Sequence, residues 1–346
     1  MQYVKLKHLS LDKIIDDNVL YKTLSSVSSI YPFRISPYYA SLIRNEGDAI
    51  WRQCVPDTRE LEDSDQSDDP LAENSLSPVP GLIHRYPDRV VLLVSNRCPV
   101  FCRFCMRKRH IGEGDNFASR ASLEKMFGYI RSHPAIRDVI LSGGDPLTLD
   151  DDSLSHILKN LRSISHVSII RIGTRTPVTF PQRITRNLCS LLKKFHPVYI
   201  NTHFNHPMEI TPESSIACAR LANAGIPLGN QTVLLRGVND SVEIMRELQT
   251  GLLSIRVKPY YIHHMDLVKS TAHFRTSIRA GLEIIRGLRG HVSGLAVPHY
   301  VIDMPGGKGK IAILPDDYEQ DGNTFILKTY LGERVAYHDI AADQEA

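Results

Sequence analysis

Three cysteines stand close together in the run Arg97-Cys98-Pro99-Val100-Phe101-Cys102-Arg103-Phe104-Cys105-Met106-Arg107. Iron–sulfur clusters are held by cysteine thiolates, normally four for a cubane of four irons. Cys98, Cys102 and Cys105 supply three thiolates with no evident fourth. One iron would keep a free coordination position, and such an iron can hold and cleave a small molecule, which a fully ligated electron carrier cannot. Two plainer readings compete. Positions i, i+4 and i+7 share a helix face, so the cysteines could form a buried apolar stripe. Pro99 and the basic neighbours Arg97, Arg103, Arg107, Lys108 and Arg109 argue against a core helix. A structural zinc site would want a fourth Cys or His at ligand spacing. The cluster reading is favoured.

A second group of residues with chemical potential is Asp303-Met304-Pro305-Gly306-Gly307-Lys308-Gly309-Lys310. Dense glycine lets the backbone approach a ligand closely and permits positive φ. A lysine in such a loop, after the apolar stretch 295–302, can form a Schiff base with pyridoxal phosphate. On chemistry alone Lys308 is as good a candidate as Lys310, and a plain surface turn is the commoner use of such a loop.

The rest of the chain must position these groups. Its 346 residues allow one large α/β domain with appendages or two ordinary domains. Hydrophobic residues at 42% and charged residues at 23% describe a globular protein. A formal net charge of +3 argues for neither a nucleic-acid nor a membrane partner. The basic run 103–109 is short and adjoins the cysteines. No run of 18 or more apolar residues and no signal segment is evident, so a cytoplasmic location is expected. Six cysteines in this length are not a disulfide framework, and Cys54, Cys189 and Cys218 read as buried free thiols.

From about residue 88 short apolar runs alternate with amphipathic stretches. Strands are expected at 90–95, 139–142, 167–173, 198–203, 228–235 and 256–262, and helices near 120–133, 150–163, 181–195, 211–224, 241–254 and 273–290. Continuous β-branched runs suit parallel strands covered on both faces. Repeated β-then-α order implies right-handed crossovers and a parallel sheet. The fold class is therefore α/β, a partial parallel (β/α)6 barrel with a helical N-terminal layer and a short C-terminal extension. The expected divisions are 1–75 for the helical layer with an exposed acidic connector at 57–73, 76–295 for the barrel, and 296–346 for the lysine loop and extension. Residues 316–346 read as a strand pair and a polar tail. In parallel barrels chemistry collects at the carboxyl ends of the strands.

The C-x3-C-x2-C spacing resembles that of radical S-adenosylmethionine enzymes. From His84-Arg85-Tyr86-Pro87-Asp88-Arg89 to Pro315 the chain resembles the lysine 2,3-aminomutase family. Matching stretches include Leu141-Ser142-Gly143-Gly144-Asp145, Arg175-Thr176-Pro177-Val178, Asn201-Thr202-His203-Phe204-Asn205-His206-Pro207 and Gly229-Asn230-Gln231-Thr232-Val233-Leu234-Leu235. The resemblance implies a [4Fe-4S] cluster on Cys98, Cys102 and Cys105, together with S-adenosyl-L-methionine and pyridoxal 5′-phosphate. It makes Lys310 the catalytic Schiff-base lysine and gives Arg85, Tyr86 and Arg89 the cofactor, chiefly its phosphate. Ser142, Gly143, Gly144, Asp145, His203 and Gln231 would meet S-adenosylmethionine. Arg107 would clamp the amino-acid carboxylate, and Asp266 and Asp303 would hold the far ammonium of lysine, a pair that repels a glutamate side chain.

The implied reaction is an isomerisation that moves the 2-amino group of L-lysine to C3 through a pyridoxal phosphate imine and a 5′-deoxyadenosyl radical. The implied partners are an amino-acid substrate, lysine favoured, and a reductant protein such as flavodoxin or ferredoxin. A homo-oligomer is compatible with the resemblance. Longer family members add a zinc site completed by a cysteine where Ser241 stands here, so no zinc is expected. The alternatives are the elongation factor P branch that supplies β-lysine for translation factor modification, an aminomutase for another amino acid, and a non-enzymatic iron–sulfur carrier. The strand-end glycines and the lysine loop argue against the last.

Overall fold

In the computed structural model, residues 10–62, 66–112, 118–315 and 317–339 are described. The N-terminal layer holds three helices: α1 (Asn18–Ile30), α2 (Pro37–Ala40) and α3 (Ala49–Cys54). Each starts at a residue suited to accept the unpaired amides of a first turn, Asp17, Ser36 and Asp48 in order.

Behind this layer lies a nine-stranded sheet of β1 (Leu82–Tyr86), β2 (Arg89–Ser95), β3 (Asp138–Gly143), β4 (Ile169–Gly173), β5 (Val198–Thr202), β6 (Leu228–Val233), β7 (Lys258–His263), β8 (His299–Asp303) and β9 (Lys310–Ala312). Spatial order follows chain order, β2 to β8 run parallel, and β1 and β9 close the two edges as antiparallel partners. The six expected strands are β2 to β7. β8 is a seventh, and it starts at His299 because Gly294–Ala296 forms a 3-10 turn and Pro298 cannot donate to a ladder. The sheet continues through β9, so the expected division at 295/296 cuts through it rather than bounding it.

Helices α4 (Arg120–Ser132), α5 (Asp151–Arg162), α6 (Thr176–Thr179), α7 (Arg186–Lys193), α8 (Pro212–Asn223), α9 (Val242–Ser254) and α10 (Ile278–Leu288) follow the strands. In α5 the buried residues are Leu154, Ile157, Leu158 and Leu161, the i, i+3, i+4, i+7 stripe of a helix packed on a sheet. The expected helix 181–195 is broken: Pro181–Arg183 is a 3-10 turn, and α7 begins after Thr185, whose side chain accepts from Leu188 N.

The strands are not covered on both faces as their apolar runs suggest. On β2, Val90, Leu92 and Val94 are buried, whereas Val91 joins Ile140, Arg171, Tyr261 and Val301 in lining a hollow. The inner face of this open barrel is a cavity wall, which explains the alternation.

Two further expectations change. Residues 318–338 form a three-stranded antiparallel sheet, β10 (Tyr318–Asp321), β11 (Thr324–Lys328) and β12 (Arg334–His338), rather than a strand pair. The tail 340–346 lies outside the described residues. The acidic segment 57–73 is only partly an exposed connector: Thr58, Arg59, Leu61, Glu62, Ser67 and Asp68 are exposed, but Glu60 and Glu73 are buried, each paired with a cation near the cysteines. Residues 63–65 of that segment, and the start of the chain through residue 9, are outside the described residues. No helix among the described residues is long and apolar enough to cross a membrane.

Candidate active site

The cysteine run leaves β2 as a loop, not a helix, and is pinned from both sides. Arg103 is buried and grips Glu60 through Nε to Oε1 at 2.9 Å and Nη2 to Oε2 at 2.6 Å, while its backbone N donates to Gln53 O at 2.9 Å. Lys108 reaches the same carboxylate at 2.6 Å, and burial drops its amine to about 8 against the pull of Glu60. On the other side the end of β3 presses on the chain entering the loop. A Cβ on Gly143 would lie 2.2 Å from Ser95 O, and one on Gly144 would lie 2.6 Å from Arg97 O, so only glycine fits either place.

Cys98, Cys102 and Cys105 thereby line one cavity of about 270 Å³ with Ser142, His203, Gln231 and Asp266. Burial pushes the Cys105 thiol up to about 11 and the Cys98 thiol well above its usual value. Taking up iron must therefore expel protons. Among the described residues no three His, Cys, Asp or Glu side chains converge on a single ion. Thiolates of a cluster bind separate irons and need not converge, so this donor set fits a cluster better than a zinc ion. Arg175 Nη1 donates to Cys102 Sγ at 2.8 Å. His203 Nε2 is buried with no partner, and burial together with the Arg175 charge keeps this ring neutral. An orphaned ring nitrogen on this cavity is an available ligand contact.

Asp145 lines the smaller cavity with Ser142, Gly143 and Gly144, but its side chain is engaged elsewhere. Its carboxylate already accepts from Thr174 Oγ1 at 2.6 Å, Arg175 N at 2.8 Å and Leu147 N at 3.0 Å. It caps the turn Pro146–Thr148 and ties the end of β3 to that of β4. Gly143 and Gly144 are likewise explained by close backbone approach. Ser142 is the member of this motif that carries a side chain toward the cavities, where its Oγ accepts from Arg107 Nη1 at 3.2 Å.

A second cavity, of about 750 Å³, is lined by Arg85, Tyr86, Arg89, Tyr261, Asp303 and Lys310 among others. Lys310 is not in a free loop but opens β9, directly opposite Asp303 on β8. The turn between them needs Gly307 and Gly309 at φ of 72° and 100°, and a Cβ on Gly307 would meet Leu71 O at 2.6 Å. The register turns Lys310 inward, where Nζ pairs with Asp303 and lies 3.2 Å from His263 Nδ1. Its backbone N donates to the Tyr86 hydroxyl at 2.8 Å. Lys308 is exposed and lines neither cavity.

Arg85 reaches Asp303 Oδ1 and Leu71 O only at 3.4 Å each, and its buried Nε has no partner. Contacts that long are weak, so most of the fork is free for an anion. The Arg89 guanidinium lies 4.5 Å over the Tyr86 ring. An anion-ready arginine beside an inward lysine fits an aldehyde cofactor bearing a phosphate.

The two cavities share Arg107, Ser142, Gln231, His263 and Asp303 as a common wall. Arg107 and Asp303 meet there, with Asp266 beside them in the smaller cavity, and their partners were not anticipated. Arg107 is held side-on by Glu73, Nη2 to Oε1 at 2.7 Å and Nε to Oε2 at 3.0 Å. Burial pushes the Asp266 carboxyl up to about 7, with the Asp303 charge adding to it. Burial also opposes charge on Asp303, but the His263 hydrogen bond and the Lys310 ammonium override it and hold this carboxyl well below the usual range. Asp303 is thus a carboxylate already engaged with Lys310 rather than one waiting for a ligand. His263 is kept neutral, chiefly by burial.

Glu73 and Tyr261 carry no role in the sequence reading, while Arg175 and His263 fall at the polar ends of expected strands, where a parallel barrel collects its chemistry, without a role being given to either. Glu73 carries no such signal, since its partner Arg107 is distant in sequence.

Two family models match the chain, the Radical SAM superfamily over residues 92–248 and Lysine-2,3-aminomutase over residues 285–343. The L-lysine 2,3-aminomutase of Clostridium subterminale is 50% identical over 309 residues, 88% of this chain and 74% of the relative. That of Fusobacterium nucleatum is 51% identical over 307 residues, 88% of this chain and 72% of the relative. A glutamate 2,3-aminomutase of Clostridioides difficile is 49% identical over 319 residues, 91% of this chain and 76% of the relative. Identity at that level over 88% of the chain, with the three-cysteine run inside the first matched region, carries the conclusion: the chain belongs to the lysine 2,3-aminomutase family of radical S-adenosylmethionine enzymes.

Proposed function

We propose that this isomerase moves the 2-amino group of L-lysine to C3, giving β-lysine, with pyridoxal 5′-phosphate held in the larger cavity and the cluster with S-adenosylmethionine in the smaller. The observation that carries the reading is the shared wall: the cysteines and Lys310 open onto two adjoining cavities with Arg107, His263 and Asp303 between them. When bound, the cluster and S-adenosylmethionine supply hydrogen-abstracting power, and pyridoxal phosphate supplies the π system through which nitrogen changes carbon.

The chain's own residues bind and orient. Cys98, Cys102 and Cys105 hold the cluster, and Ser142, His203 and Gln231 contact S-adenosylmethionine. Arg85, Tyr86 and Arg89 take the phosphate, and Lys310 carries the aldehyde. Arg107, aimed by Glu73, presents its remaining N–H groups to the substrate carboxylate. Asp266 faces the side-chain ammonium, and Asp303 joins it once Lys310 is engaged with the cofactor. Neutral His263 and the Asp303 carboxylate hold Lys310 Nζ at the wall between the cavities, beside the place assigned to the cofactor.

The aspartate pair favours lysine over glutamate, whose side-chain carboxylate would meet two like charges. A flavodoxin- or ferredoxin-type reductant, assembly into a homo-oligomer and a cytoplasmic setting belong to the same reading and rest on family membership. The test is anaerobic reconstitution with iron, sulfide, pyridoxal phosphate and dithionite, followed by chromatography of products from labelled lysine, glutamate and alanine. β-Lysine as main product supports the reading, and β-glutamate as main product overturns the substrate assignment.

A further inference from the structure

The most heavily committed side chain near the cysteines belongs to Arg175, which the substrate reading leaves without a task. It follows β4 at the barrel mouth and is buried. Each nitrogen of its fork has a fixed partner. Nη1 donates to Cys102 Sγ at 2.8 Å, and Nε donates to His203 O at 3.2 Å. Nη2 donates to Glu209 Oε1 at 2.7 Å, to the Tyr39 hydroxyl at 3.0 Å and to Gln53 Oε1. Tyr39 in turn donates to Glu209 Oε1 at 2.6 Å, and Asn205 Nδ2 donates to Gln53 Oε1 at 3.0 Å. Glu209, Gln53 and Asn205 are fully buried, so the network is rigid and shielded from water.

The arrangement has a direction. The counter-carboxylate of Glu209 sits on Nη2, while Nη1 meets the sulfur, so the positive end of the pair points at Cys102. An electron added to a cluster increases negative charge on its sulfurs. A fixed cation donating a hydrogen bond to one of them stabilises the reduced form more than the oxidised form. Inside a low-dielectric pocket that difference is not screened away.

We infer that Arg175 is a positioning residue that raises the reduction potential of the cluster through its hydrogen bond to Cys102, and that Tyr39, Gln53 and Glu209 aim it. The step concerned is one-electron reduction by an external low-potential donor, in which no bond at Arg175 breaks and no proton moves. The N-terminal layer gains a function from this, since α2 and α3 supply Tyr39 and Gln53. The inference rests on the proposed cluster.

The test is a potentiometric titration of the full-length reconstituted protein, without S-adenosylmethionine, followed by electron paramagnetic resonance. Wild type, Arg175→Met and Arg175→Lys are compared at equal iron and sulfide content. At the poise where half of the wild-type cluster is reduced, the ratio of reduced to oxidised cluster in Arg175→Met should fall about tenfold, equivalent to about 59 mV for one electron. Arg175→Lys keeps the charge but has a single nitrogen to divide between Cys102 and Glu209, and should fall between the two. An unchanged ratio in Arg175→Met with a full cluster overturns the inference. If that variant holds no cluster, Arg175→Lys decides: a lowered ratio supports the inference and a wild-type ratio overturns it. A wild-type protein that binds no iron and sulfide would instead remove the cluster itself, a separate and recognisable result.

Discussion

Replacing Asp266 by Asn in the cofactor-free protein should stabilise it, and by more at high pH than at low. Folding moves this carboxyl from the usual 3.8 to about 7, burial being the main cause and the Asp303 charge the next. Below the lower value both states hold the proton and nothing is gained or lost. Between the two values the unfolded carboxyl ionises while the folded one keeps its proton, so stability falls as pH rises. Above about pH 7 the full cost is present, at most about 4 kcal/mol at 1.36 kcal/mol per tenfold. The same expression puts the cost at about 3 kcal/mol at pH 6, so the advantage of Asp266→Asn should grow by about 1 kcal/mol between pH 6 and pH 8. Equilibrium urea denaturation of both proteins at the two pH values reads this double difference and cancels the titrating groups that do not couple to Asp266. In the holoenzyme the sign reverses for function. The ionised carboxylate is the form that attracts an ammonium, so wild-type affinity for lysine should improve across the same interval and the variant should show no such trend. A stability difference that is equal at both pH values would refute the argument, because it would mean that Asp266 is already ionised at pH 6.

Lys310→Ala should abolish borohydride-trapped pyridoxal while leaving iron content unchanged, whereas Lys308→Ala should trap as much cofactor as wild type; absorbance and mass spectrometry measure both. Glu73→Ala releases Arg107 from its side-on grip and should raise the KM for the amino acid about tenfold with a smaller change in kcat, as expected for a lost charge-assisted hydrogen bond. Steady-state kinetics with an unchanged KM would show that Arg107 needs no such support. Glu60→Gln strands Arg103 in a buried pocket and should cost about 3–5 kcal/mol in chemical denaturation.

The candidate site was legible in the sequence as residue types suited to particular groups, three thiolates and a lysine in a glycine-rich loop, but type alone left Lys308 and Lys310 equal, and only the register of β9 with β8 turns Lys310 to the cavity. The parallel strands β2 to β7 were legible because their apolar runs are long and bounded by polar ends. What escaped was set by contacts distant in sequence. An acidic segment poor in apolar residues reads as solvated, yet Glu60 and Glu73 are buried because Arg103, Lys108, Arg107 and Arg109 need counter-charges. The strand that carries Lys310 is three residues long and is defined by its register with β8, which no local pattern announces. Asp145 was assigned to a ligand since it stands in a motif at a strand end. Its actual partners, Thr174 and the Arg175 amide, lie on the next strand's loop and are invisible to spacing.

The two edges of the barrel are fastened by side chains rather than by a strand ladder: the Tyr86 hydroxyl on β1 takes the Lys310 amide on β9, and Arg85 on β1 faces Asp303 on β8. Such a hoop can be unclasped without breaking a single rung of the sheet. Since the clasp is built from the groups assigned to the cofactor, filling the larger cavity would replace the side-chain contacts that close the seam. Protease sensitivity of the turn at 304–309 would then report, in one measurement, how tightly the hoop is drawn.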